Sequence, residues 1–383
     1  MAFTFITPRY TCIGEGALGS SETALRSLGS KAFIVTGKHV TKAGAVKTLT
    51  DCLDKWNMAY AVFSDITGEP TDTMISAGVA AYRAAECDCL IAIGGGSPLD
   101  SAKAIAVMSV LGGKVSDYMG REIEGDFPPV AAIPTTAGTG SEATRFTVIT
   151  DTERDVKMLL RGNALVPAAA IVDPAFTLTA PPDVTAATGM DALTHAVESY
   201  TSRKASDMTD MYALDAIRRI FAQLPAAYED GGNLEARTEM AVAAYEAGVC
   251  INNASVTLVH GMSRPIGALF HVPHGISNAM LIRECMAFAL DGCPEKFARI
   301  AREIGAADAR HSDPVAAQAF LEALTGLCKR LNIPTLREYG IDEEQFSSLI
   351  GKMAHDAIAS GSPANTIKAV TEEDLVSIYR RLW

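Results

Sequence analysis

No run of 18 or more apolar residues occurs in the 383-residue chain, and its start, MAFTFITPRY, has no basic stretch leading into an apolar one. A membrane-spanning helix and a secretory leader are therefore not expected, and a cytoplasmic protein is. Basic residues are in short supply: 33 Lys and Arg stand against 45 Asp and Glu, a formal net charge of −12. Nucleic acids and anionic membrane surfaces call for a basic footprint, so neither is an expected partner. The 8 cysteines are dispersed and form no C-x-x-C pair. In a chain this long they read as reduced, mostly buried thiols and not as a disulfide framework. Histidine is scarce as well, with 7 in all, so where each one falls carries information.

At 383 residues, 48% of them hydrophobic and 20% charged, the chain has the composition and length of two fairly large globular domains. Its first half alternates strand-like and helix-like stretches. Residues 32–36 (AFIVT), 59–63 (AYAVF), 89–93 (CLIAI) and 130–133 (VAAI) read as strands. Residues 41–57, 71–86 and a stretch from about Pro98 read as helices, and 144–150 and 168–173 as further strands. This rhythm predicts a mainly parallel sheet flanked by helices. Near Pro181-Pro182 the texture changes. Helical patterns follow at 185–202, 207–223, 234–251, 313–331 and 343–358, with apolar residues three and four apart. The expected organisation is an α/β domain over 1–180 and an all-helical domain over 181–383. A cleft between such halves is a common meeting place for cofactor and substrate.

Gly94-Gly95-Gly96-Ser97 lies between a predicted strand and a predicted helix. Glycine lets backbone approach a phosphate, and the helix start offers unpaired N–H groups and partial positive charge. The loop does not itself carry the G-x-G-x-x-G fingerprint. Lys103, further along the helix, is either a local positive charge or simply solvated. A second polar loop, from Thr135 to Ser141, follows the next strand. Two such loops at the carboxyl ends of neighbouring strands line one crevice of a parallel sheet; the alternative is a pair of tight turns.

Residues 188–195 read TGMDALTH, so Asp191 and His195 are four apart and share one helix face. Further on, HGMSRPIGALFHVPHG holds His260, His271 and His274. Three imidazoles and a carboxylate suit Zn²⁺ or Fe²⁺ and disfavour Ca²⁺ or Mg²⁺. The bland alternatives are a surface or capping Asp–His pair and structural histidines.

Together GGGSPLDSAK from Gly94, PTTAGTGSE from Pro134, ATGMDALTHAVE from Ala187 and the His260–Gly275 block make the sequence resemble the iron-containing (group III) alcohol dehydrogenase family over essentially its whole length. The resemblance implies a dehydroquinate synthase-like fold: an α/β dinucleotide-binding domain, then an all-α metal-binding and substrate domain. It implies Asp191, His195, His260 and His274 as metal ligands, with Fe²⁺ expected and Zn²⁺ an alternative. The cofactor NAD(P)(H) would contact Gly37, Lys38, Gly94, Gly95, Gly96, Ser97, Asp100, Thr135, Thr136, Thr139 and Ser141. His271 would stand beside the metal as a proton relay or as a hydrogen bonder behind it. Phe146 and Ile251 would form apolar walls of the substrate pocket.

Two positions depart from the family pattern. Many NAD-using members carry aspartate where this chain has Gly37, followed by Lys38, His39 and Lys42. Without a carboxylate to repel a 2′-phosphate, acceptance of NADP(H) is expected. The alternative is that glycine merely permits the turn. Many relatives have histidine where this chain has Arg264, and arginine is no base at neutral pH. Arg264 either meets an anionic group on the substrate or forms an internal salt bridge to a helix carboxylate.

The expected activity is hydride transfer between a small primary alcohol or aldehyde and a nicotinamide cofactor, by a homodimer or larger homo-oligomer. Alternatives are a glycerol dehydrogenase-type polyol oxidation, a dehydroquinate synthase-like lyase, and a non-catalytic nucleotide- or metal-binding protein.

Overall fold

The computed structural model describes residues 3–154 and 156–383. The chain divides into two compact units, Met1–Ala180 and Pro181–Trp383.

The first unit contains β1 (Tyr10–Ile13), β2 (Lys31–Val35), β3 (Ala59–Phe63), β4 (Cys89–Gly94), β5 (Val130–Pro134), β6 (Phe146–Asp151), β7 (Val156–Arg161) and β8 (Ala169–Val172). Its helices are α1 (Ala17–Ser20), α2 (Glu22–Arg26), α3 (Lys38–Lys42), α4 (Ala45–Lys55), α5 (Asp72–Ala84) and α6 (Gly96–Leu111). Six strands form a parallel sheet in the order β1-β8-β5-β4-β2-β3. Alternate residues feed two cores. Phe33, Val35, Leu90 and Ala92 face α5 and α6, while Ala32, Ile34, Ile91 and Ile93 face α1, α2 and α4. Both faces are dry, which is why these strands read as unbroken apolar runs.

The structure departs from the sequence reading at several elements. The stretch 41–57 is two helices, because Gly44 takes the left-handed conformation (φ 91°) between α3 and α4. Helix α6 starts at Gly96, two residues before Pro98, with Gly95 as its N-cap. The strand expected at 144–150 is β6, but it lies outside the parallel sheet and pairs antiparallel with β7. Neither β7 nor the edge strand β1 stood out in the sequence. Lys157 and Arg161 interrupt the apolar pattern of β7, and β1 is only half buried.

The second unit contains α7 (Pro182–Tyr200), α8 (Asp207–Glu229), α9 (Leu234–Asn253), α10 (Leu258–Phe270), α11 (His274–Ala289), α12 (Pro294–Glu303), α13 (Asp313–Arg330), α14 (Leu336–Tyr339), α15 (Glu343–Ala359) and α16 (Glu372–Arg380). None of its described residues lies in a strand longer than an isolated bridge. Helix α7 packs against α8, α9 and α11, and almost its whole length from Gly189 to Tyr200 is buried. Helices α10 and α11 escaped the sequence reading. Pro265 lies inside α10, and His271 in the left-handed conformation (φ 54°) ends it just before Pro273 opens α11.

Candidate metal centre and cofactor loops

In the first unit, β2 and β4 are neighbours whose carboxyl ends lead to opposite faces. The helix pair α3 and α4 goes to one, and α6 to the other. That arrangement opens a crevice at the ends of the two strands. Gly37 and Gly94–Ser97 stand at those ends, and Thr135 follows the adjacent β5.

Gly94 holds φ 154°, and a Cβ there would come within 2.6 Å of the Pro98 ring. At Gly96 a Cβ would come within 2.9 Å of Thr139 Cγ2, so the two polar loops touch. No side chain caps α6, which leaves its first N–H groups for a ligand. The G-x-G-x-x-G pattern does occur once, at Gly14-Glu15-Gly16-Ala17-Leu18-Gly19, after β1. There the helix is four residues long, and the Leu18 N–H already donates to the Asp173 carboxylate at 3.3 Å. A resident anion leaves that turn unsuited to a phosphate.

Asp100 and Ser141 meet each other. Ser141 Oγ donates to Asp100 Oδ1 at 2.5 Å, and Val148 N–H donates to Asp100 Oδ2 at 2.9 Å. Burial pushes the Asp100 carboxyl up, only partly offset by Lys103 and these hydrogen bonds. Lys103 is not solvated: it is 1% exposed. Its three protons go to Thr144 O (2.9 Å), Thr144 Oγ1 (3.1 Å) and Phe146 O (3.0 Å). Burial pulls its pKa down to about 8. Lys103 thus braces the start of β6, with no proton left for a phosphate.

Gly37 forms a bridge with Asp65, and a Cβ on it would come within 2.8 Å of the Ile66 carbonyl oxygen. A steric reason for glycine therefore exists at this position. Lys38 is exposed and lies 4.0 Å from Asp65.

The second unit gathers the metal candidates. Asp191 and His195 lie on α7, His260 on α10 and His274 at the start of α11. Asp191 Oδ1 lies 3.7 Å from Nε2 of each of the three histidines. Donor atoms bound to one ion at about 2.1 Å are spaced roughly 3.0–4.2 Å apart, and these separations fit. Asp191, His195 and His260 form the tight group, all buried, with donor atoms within 4.8 Å of one another. His274 stands at the rim, its side chain 39% exposed. Burial pushes the Asp191 carboxyl up, but His195, His274, His260 and the Asn278 amide outweigh it and leave it lowered.

Two further residues of this centre, Glu198 and Asn278, had no assigned role in the sequence reading. Glu198 is fully buried. It accepts from Thr257 Oγ1 (2.8 Å), Val259 N (2.5 Å) and His260 Nδ1 (2.6 Å). Burial raises its pKa, but His260 and Thr257 overcome that and hold it below its usual range. An ionised carboxylate only accepts, so His260 carries its proton on Nδ1 and turns its Nε2 lone pair toward Asp191. The signal was available: Asp191, His195 and Glu198 follow one face of α7. The Asn278 Nδ2 sits among the candidate ligands, 2.7 Å from Asp191 Oδ1 and 3.2 Å from both His260 Nε2 and His274 Nε2. Its Oδ1 is buried with no hydrogen-bond partner among the described residues. Acceptors converging on one point beside an orphaned amide oxygen are what a cation site looks like.

Two family models cover the chain. Residues 8–174 match the iron-containing alcohol dehydrogenase model, and residues 185–383 match the C-terminal model of the same family. The chain belongs to the iron-containing alcohol dehydrogenase family. It is 37% identical to an NAD-dependent methanol dehydrogenase of Bacillus methanolicus, covering 98% of each chain. It is 36% identical to lactaldehyde reductase of Escherichia coli (strain K12), covering 100% of each. The crystal structure of a 1,3-propanediol oxidoreductase superposes with a TM-score of 0.96 at 36% identity, covering 100% of both chains.

For a member of the iron-containing alcohol dehydrogenases, the remaining candidates fall as follows. Phe146 is half-buried at the start of β6 under the Arg145 guanidinium, and Ile251 is buried on α9. His271 is exposed, with no hydrogen bond or ion pair to the described residues. Arg264 lies one turn after His260 on α10, and the internal salt bridge considered for it is not formed among the described residues. Its one hydrogen bond among the described residues is from Nη1 to Ser362 Oγ, at 3.0 Å.

Proposed function

We propose that this chain is a metal- and nicotinamide-dependent alcohol dehydrogenase that also reduces aldehydes, acting on small primary alcohols and their aldehydes. One observation carries the reading: the Asp191 carboxylate faces three imidazole nitrogens at equal distances, with Glu198 fixing the proton of one of them. When bound, a divalent metal supplies Lewis acidity toward the alcohol or carbonyl oxygen, and a nicotinamide takes up or gives the hydride. Asp191, His195, His260 and His274 hold the metal, Fe²⁺ by preference and Zn²⁺ on the same donors. Gly94–Ser97 and the open start of α6 receive the pyrophosphate, and Thr135, Thr136 and Thr139 border the cofactor. Asp100 and Ser141 act by keeping the two loops in register. Exposed His271 passes the alcohol's proton to solvent.

NADP(H) is accepted beside NAD(H), because Gly37 removes a repelling carboxylate and Lys38 adds positive charge. Asp65 beside Lys38 keeps NAD(H) usable. A homodimer or larger assembly in the cytoplasm belongs to the same reading, which rests there on family likeness and composition. No helix among the described residues is long and apolar enough to cross a membrane.

The test is an anaerobic assay of iron- and zinc-loaded protein with small primary alcohols and aldehydes and both cofactors, followed at the nicotinamide absorbance. Turnover is expected with either cofactor. Cofactor binding without any absorbance change refutes the reading. A preference for NADH of roughly a hundredfold, about 2.7 kcal/mol, refutes its NADP(H) part.

A further inference from the structure

Among the described residues, Arg264 is a cation without a counter-ion. Its side chain is set into the helical unit, only half reaching the surface, and burial pulls its pKa down from the ordinary value. Arginine nonetheless stays protonated. Charges so placed are normally matched by a carboxylate. Among the described residues Arg264 makes no ion pair and stacks on no aromatic ring. The nearby carboxylate of Glu198 favours the charge, but its oxygens are taken by Thr257, Val259 and His260.

Among the described residues, only one of the guanidinium's five N–H groups has a protein acceptor, the Ser362 hydroxyl. Arg264 is part-exposed, and its remaining N–H groups have no acceptor among the described residues. Ser362 accepts from Arg264 and keeps its own proton to donate. The segment that carries Ser362 packs closely on α10. Pro363 lies so close over α10 that a Cβ on Gly261 would come within 2.7 Å of its ring.

We propose that Arg264 and Ser362 form an anion subsite that selects short aldehydes carrying a carboxylate or a like oxyanion at the far end. The proposal rests on the alcohol dehydrogenase reading and names its substrate class. His260 and Arg264 are four residues apart on one face of α10, which spaces them by about 6 Å along the axis. A ligand reaching from the metal donors around His260 to the guanidinium one turn away is therefore a short one, an oxo acid of a few carbons. No other described residue of the second unit accepts a hydrogen bond from the guanidinium.

The experiment compares succinic semialdehyde with butanal, using metal-loaded wild type, Arg264→Ala, Arg264→Lys and Ser362→Ala at saturating cofactor. Charge-assisted hydrogen bonds contribute about 1.5–3 kcal/mol, a factor of roughly 10 to 150. Wild type should favour the anionic aldehyde in kcat/KM by that order, and Arg264→Ala should remove the preference. Arg264→Lys should retain part of it, and Ser362→Ala should lose a smaller share. Equal losses on both aldehydes overturn the proposal. So does a loss on both that follows a raised cofactor KM, which would assign Arg264 to the cofactor's phosphates.

A measurement without turnover runs beside it. Butyrate should raise the melting temperature of wild type more than butanol does, and Arg264→Ala should erase that difference. If wild type turns over neither aldehyde, the alcohol dehydrogenase reading fails, while the butyrate shift still decides whether the anion subsite exists. Should Arg264→Ala not fold, the Lys and Ser362 variants carry both readouts.

Discussion

Replacing Glu198 with Gln alters one atom and one charge, yet it leaves no good arrangement. Three donors face the two carboxylate oxygens: Thr257 Oγ1 and Val259 N on Oε1, and His260 Nδ1 on Oε2. An amide offers one oxygen and one NH₂ group. If its oxygen stays with Thr257 and Val259, the NH₂ faces His260. The ring must then accept, and its proton moves to Nε2, the atom aimed at Asp191. If the amide turns over, the NH₂ meets the Val259 N–H, which cannot rotate away. The first outcome removes a metal ligand, and the second strands a buried backbone donor. Metal affinity should fall by about 10–100-fold. The stranded donor costs about 1–3 kcal/mol, which lowers the melting temperature by roughly 2–12 °C in a unit of this size. Competition with a chromogenic chelator reads the first effect, and melting of metal-free and metal-loaded protein reads the second. Wild-type metal retention together with a melt within about 1 °C of wild type would refute the reasoning.

Burial pushes Glu142 up to about 7 from 4.5, with its own N–H and Lys103 offsetting only part. The folded chain then keeps a proton that the unfolded chain has released. The stabilisation is full below 4.5 and is lost as pH rises through 7, by about 3 kcal/mol at most. Urea midpoints at about pH 5 and about pH 8 should differ less in Glu142→Gln than in wild type; an unchanged difference counts against the buried titration. Lys103→Met should destabilise the first unit by about 2–4 kcal/mol, since it frees two buried carbonyls, and urea unfolding checks this. Gly37→Asp should cut kcat/KM with NADPH at least about tenfold relative to NADH, measured with one alcohol, through charge repulsion of the 2′-phosphate. It should also cost about 1–3 kcal/mol of stability, because its Cβ crowds the Ile66 carbonyl.

The parallel strands were legible because both of their faces are buried. AFIVT, CLIAI and VAAI need no polar side. The same rule hid β1 and β7, which have a wet side and only a short or interrupted apolar pattern, broken in β7 by Lys157 and Arg161. Helices α10 and α11 were hidden by Pro265, Pro273 and the histidines, residues placed there by the site and not by helix propensity. Asp191 and His195 were readable because one helix turn brings them together. Asn278 was not, because it reaches Asp191 across 87 residues of sequence through the packing of α11 on α7. Lys103 misled for a related reason. A lysine in a helix usually means solvent, and only the fold reveals that strand β6 covers it.

Helix α6 acts as a ruler. Its head carries the glycine loop, and Asp100 and Lys103, three residues apart on one side, grip the segment from Ser141 to Val148. Adding or deleting one residue between Gly96 and Asp100 would turn the rest of the helix by about 100° and swing both grips away together, and a change between Asp100 and Lys103 would split them. Length changes in descendants of this gene should therefore collect in the turns around Gly112 and Gly125 and leave the first two turns of α6 alone. The spacing from glycine to lysine is fixed by an architectural tolerance of less than one residue.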